Sequence, residues 1–160
     1  MGDARGTMTW SVRNWSEEAM GTIVVGIDGS PEAVHALRWA AKEAAFRGAN
    51  VRAVAVYDYL IADVLGAPVQ VHPIAGDPSR AFEHALAAVA AVTGDSPDVA
   101  IEAEALEGEP GHVLCDIAGV AELLVVGRHS SRTRPHRLGA VASHVVHHST
   151  CPSVVVPLVV

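Results

Sequence analysis

Cysteine, aromatic side chains, positive charge and long apolar runs are all scarce in this chain of 160 residues. The two cysteines, Cys115 and Cys151, have neither metal-ligand nor redox spacing. A disulfide framework and a cysteine-rich zinc site are thereby excluded, and free thiols in a reducing compartment are expected. With two Phe, two Tyr and three Trp, the core must be built from small aliphatic residues, which suits closely packed helices on a buried sheet. Eleven Lys and Arg stand against 18 Asp and Glu, a net charge of -7. A general nucleic-acid binder would be basic, so nucleic acid is not an expected partner. No apolar run approaches a membrane span, and the first twenty residues lack the apolar core of a signal peptide. Gly6 stands where a myristoylation motif wants Ser or Thr. No membrane partner is expected, and the expected location is the cytoplasm. HExxH, Walker and GxSxG motifs are missing, as are paired catalytic carboxylates. No enzymatic turnover is expected.

What is present is a regular alternation. Residues 1–20 are polar and aperiodic, and read as a flexible arm; Trp10 and Trp15 in it are either unpaired or dock on the domain or a partner. The domain is expected over 21–160. "TIVVGID" (22–28) is β-branched and apolar, a buried strand. Ser30 caps a helix that Pro31 opens and Gly48 ends, with Val34, Leu37, Ala41, Ala44 and Ala45 on one face. Strand 51–59 follows, then a connection over 60–76 rich in Gly and Pro. Asp77 and Pro78 open the next helix, and strand 98–106 succeeds it. A helix from Pro110, a buried strand at 121–127, a loop at 128–136, a helix to about His148 and a strand at 152–160 complete the pattern. Strands alternating with helices predict an α/β fold with a five-stranded parallel sheet and helices on both faces. The order expected is 3-2-1-4-5.

Two motifs stand out. In "GIDGSP" (26–31), Asp28 lies at the carboxyl end of the first strand. It either meets ribose hydroxyls or a cation there, or caps a turn. In "LLVVGRHSSRTRPHRLGAVASHVVHH" (123–148), Gly127 ends a strand and Gly139 opens a helix. With order 3-2-1-4-5, these two strands are central neighbours whose carboxyl ends flank one crevice, so both motifs face it. His144 and His148, four apart, have a spacing that can share a metal. No acid or third ligand is visible nearby in sequence, so a polar helix face is expected instead.

The chain resembles the universal stress protein family over about residues 21–158. "IVVGIDGSPEAVHALRWA" resembles that family's first strand, acidic turn and helix. "GEPGHVLCDIA" resembles the start of its third helix, and "ELLVVGRHS…LGAVASHVVHHSTCPSVVVP" its C-terminal third. The resemblance implies a Rossmann-like (adenine nucleotide α-hydrolase-like) sandwich, a dimer, and ATP or another adenine nucleotide as cofactor, with Mg accompanying the nucleotide. It implies binding through Gly-x2-Gly-x9-Gly-Ser/Thr. Asp28 then matches the acidic position near the ribose, Val56 an apolar position beside adenine, and Gly127 and Gly139 the first and last motif glycines. Ile27, Val126, Arg128, Ser130, Ala140 and Val141 complete the implied site.

The chain departs from that motif. Ser130 replaces the second glycine, eight residues rather than nine separate it from Gly139, and Ala140 replaces the hydroxyl residue. A positive φ at Ser costs on the order of 1 kcal/mol, and a lost charge-assisted hydroxyl contact about 1.5–3 kcal/mol. Together these predict ATP affinity lower by about two orders of magnitude. Arg128, Arg132, Arg134 and Arg137 crowd the same loop. They either replace the backbone cradle with guanidinium forks or form a solvated cluster. Two functions follow: a stress-response protein that binds adenine nucleotide weakly and acts as a dimeric regulatory module, or a nucleotide-free homodimeric interaction module. Either pairs through the apolar last strand and serves a protein partner that the sequence does not identify.

Overall fold

The computed structural model describes residues 8–11, 21–58, 60–64, 67–71, 76–129 and 138–158. The elements are β1 (Met8–Ser11), β2 (Thr22–Ile27), α1 (Pro31–Arg47), β3 (Asn50–Tyr57), β4 (Leu60–Val64), β5 (Ala67–Val71), α2 (Pro78–Val92), β6 (Ile101–Glu107), α3 (Pro110–Ala118), β7 (Leu123–Gly127), α4 (Ala140–His148) and β8 (Ser153–Val156). The main sheet runs β1-β6-β3-β2-β7-β8. Its last five strands are parallel and carry the expected 3-2-1-4-5 order.

Alternating side chains divide the sheet into two buried faces. Ile23, Val25 and Ile27 of β2, with Leu123 and Val125 of β7, meet the Ala-rich inner faces of α1 and α2. Val24, Val54, Leu124 and Val126 meet Leu114 and Ala118 of α3, and Ala142 and Val145 of α4. Helices therefore cover both faces, as a parallel sheet requires. On α1 the buried stripe is Ala33, Ala36, Leu37, Ala40, Ala41 and Ala44. That stripe is rotated from the expected one: Val34 is half-buried and Ala45 exposed. Alanine lets α1 approach the sheet closely, so the packed line follows backbone proximity rather than side-chain size.

Three elements differ from expectation. Met8–Ser11, inside the N-terminal arm, pairs antiparallel with β6, Trp10 opposite Ala103. Four residues are too short to show a period. The connection after β3 contains the antiparallel hairpin β4–β5, hidden in sequence by Gly66 and Pro68. The final strand stops at Val156, before Pro157, which has no N–H to donate to a ladder.

Candidate functional site

From β2 the chain moves through β3 to β6 on one side, then returns to β7 and β8 on the other. The carboxyl ends of β2 and β7 therefore diverge at the centre of the sheet. A cavity of about 630 Å³ opens there, within the roughly 300–1,000 Å³ common for small-molecule sites. Its lining includes Ile27, Asp28, Val56, Val126, Gly127, Gly139, Ala140 and Val141. Eight of the ten residues expected from the sequence thus share one cavity.

The first wall is the β2–α1 turn. Asp28 accepts hydrogen bonds at Oδ1 from the Ser30 backbone N–H (2.9 Å) and from the Ser30 hydroxyl. Ser30 in turn accepts the Ala33 N–H at 3.2 Å, capping α1. Asp28 therefore does hold a turn, and it is also exposed at the cavity. Gly29 has φ +81, and a Cβ there would fall 2.8 Å from the His84 ring. The left-handed φ is what favours glycine here, since the His84 ring can move aside. Gly127 is needed for space: its missing Cβ would lie 2.8 Å from the Glu32 carbonyl oxygen. That contact brings β7 against the first turn of α1.

The opposite wall is the start of α4. Side chains cap the other three helices: Ser30 on α1, Asp77 on α2 and Glu109 on α3. Gly139, at the N-cap of α4, makes no side-chain cap hydrogen bond. The first intrahelical bond joins the Ser143 N–H to the Gly139 carbonyl at 2.9 Å, which leaves the amides before Ser143 without an intrahelical acceptor. These are the amides of Ala140, Val141 and Ala142, residues that line the cavity. Such an end attracts anions.

Arg128 is not among the lining residues. Its backbone N–H donates to the Val156 carbonyl at 2.8 Å, and its Nε is buried with no hydrogen-bond partner among the described residues. Ser130, Arg132, Arg134 and Arg137 lie outside the described residues. The side chains found at the cavity among the described residues are instead the Arg80 guanidinium and the imidazoles of His84 and His129. Arg80 and His84 went unnoticed in sequence because on a helix they read as a solvated face. A signal did exist: a helix that follows a parallel strand begins at the carboxyl edge, so the first turns after Asp77 were candidates. Cys115 packs partly buried against the core under α3 and α4, and that burial pushes its thiol pKa up.

Residues 20–157 match the family model of the universal stress protein family. The chain belongs to that family. It is 32% identical over 141 residues to universal stress protein Rv2624c of Mycobacterium tuberculosis, covering 85% of this chain and 48% of that protein. The chain therefore spans about half the length of the curated relatives it matches. Among solved structures it resembles a universal stress protein from Archaeoglobus fulgidus in complex with dAMP, with 26% identity, a TM-score of 0.64 and coverage of 86% and 98% of the two chains. A universal stress protein in complex with cAMP is also similar, at 25% identity and TM-score 0.64, with 88% and 98% covered. Among the described residues no helix is long and apolar enough to cross a membrane.

Proposed function

We propose that this chain binds an adenine nucleotide weakly in the cavity between β2 and β7 and acts as a dimeric regulatory module, without turnover. The convergence of Asp28, Val56, Gly127 and the uncapped start of α4 on one cavity carries the reading. Val54, Val56, Leu114 and Val126 offer apolar surface for a base. Asp28 retains a second carboxylate oxygen for a ribose hydroxyl. The α4 amides, with Arg80 at the rim, would meet phosphate, and Mg would arrive with the nucleotide's own phosphates. The complexes of related proteins with dAMP and cAMP support a monophosphate ligand class. Ala140 and Ala142 supply no hydroxyls, so the grip on a polyphosphate is weaker than the family motif allows. The cytoplasm is the proposed location.

The test is calorimetric titration of ATP, ADP, AMP and cAMP into the full chain. Saturable binding with a Kd between about 10 µM and 1 mM is expected, with at least a fivefold loss in Asp28→Ala or Arg80→Ala. Failure of all four ligands to bind at millimolar concentration defeats the proposal. The second reading, a nucleotide-free homodimeric module, draws on those same alanines and would then take its place.

A further inference from the structure

Outside the cavity, on the outer side of α3 and α4, the fold gathers imidazoles and a carboxylate that the sequence keeps apart. Glu109, His112 and His144 each offer a ligand atom, all within 4.8 Å of one another. His112 Nδ1 lies 3.2 Å from Glu109 Oε2. Two ligands of one tetrahedral zinc, with bonds of about 2.1 Å, sit about 3.4 Å apart. His144 meets His112 edge-on at 4.5 Å between ring centroids and stacks on His148 at 4.2 Å. Beside His144 the fold thus places an acid, Glu109, and a second imidazole, His112, that the sequence keeps some thirty residues away.

The groups are accessible: the His112 and Glu109 side chains are 71% and 50% exposed. Glu109 also caps α3 through the N–H groups of Gly111 and His112, which fixes its carboxylate beside the imidazoles. A carboxylate has lone pairs for both tasks.

We infer that Glu109, His112 and His144 form a binding site for a borderline divalent cation such as Zn2+ that staples α3 to α4, with water completing the coordination. Imidazole and carboxylate donors suit that class. The claim is independent of the nucleotide reading, because none of these three residues lines the cavity.

Tag-free full-length protein, stripped with chelator, would be titrated with Zn2+ by calorimetry and with Co2+ by visible absorption. One equivalent is expected to bind at micromolar Kd or tighter, with a Co2+ band of low-coordinate intensity. His112→Ala and His144→Ala should each weaken binding about tenfold or more. His147→Ala should not, since it is not among the three residues whose ligand atoms converge and its ring lies 6.3 Å from that of His148. Circular dichroism would verify folding, and exposed His112 keeps the test decisive if His144→Ala unfolds. Three outcomes overturn the inference: no saturable binding below about 1 mM, an unaffected His112→Ala, or a loss in His147→Ala equal to that in His144→Ala.

Discussion

At the scale of single residues, the site depends on side chains that are absent as much as on those present. Gly127 is the sharpest case. A methyl group there would overlap the Glu32 carbonyl, with its oxygen at 2.8 Å and its carbon at 2.9 Å. Backbone cannot swing aside as a flexible side chain can. Gly127→Ala should therefore cost about 1–3 kcal/mol of stability, read as a lower urea midpoint at unchanged slope. It should also weaken ligand binding, because Glu32 and Ala33 line the cavity. In the sheet, Arg52 holds Glu104 with bonds of 2.6 and 2.7 Å. That bond raises the Arg52 pKa, and burial raises that of neighbouring Glu102.

At the scale of elements, helix ends were legible and their surroundings were not. Ser30, Asp77 and the prolines at 31, 78 and 110 announce the three helix starts where they occur, because capping is local chemistry. Glu109 was not anticipated as a cap; glutamate usually serves further into the first turn. Its two bonds to the α3 amides make a prediction. Hydrogen bonding from the His112 backbone N–H, helped by that from Gly111, outweighs partial desolvation and lowers the Glu109 pKa below the ordinary glutamate value. A depressed folded pKa contributes stability above the unfolded pKa and loses it as pH falls through the folded one. Glu109→Ala should therefore cost about 1 kcal/mol at pH 7, and less as pH drops below about 4.3. Urea melts of both proteins at pH 7 and pH 3, with chelator present, would check this. A difference that grows on acidification contradicts the capping role. The motif glycines and Asp28 could be read from spacing and from resemblance to the family. For Arg80 and His84 the sequence marks only their place in the first turns of α2, at the carboxyl edge of the sheet; the packing of α2 is what brings them to the cavity.

At the scale of the molecule, the open question is the far edge of the sheet. β1 pairs with β6 at one end, while β8 has β7 on one side and no described strand on the other. The Pro152 and Val156 carbonyls accept from the Leu124 and Arg128 amides at 3.0 and 2.8 Å. Backbone groups alternate in direction along a strand, so those of Ser153 and Val155 point away from β7. An apolar edge with unpaired backbone groups is a template for another strand. A second copy of the chain, related by a two-fold axis, would pair with it antiparallel. The prediction is a dimer at micromolar concentration by light scattering. Val155→Pro should shift it toward monomer, because proline removes one outward N–H and spares the inward ladder. Circular dichroism should remain that of the folded chain. The Arg128–Val156 bond also ties the first residue after Gly127 to the end of β8. If nucleotide and partner both act through that bond, their effects must be reciprocal: saturating AMP should change the dimer dissociation constant by the same factor that dimerisation changes AMP affinity. A monodisperse monomer with or without AMP would remove the edge-strand interface.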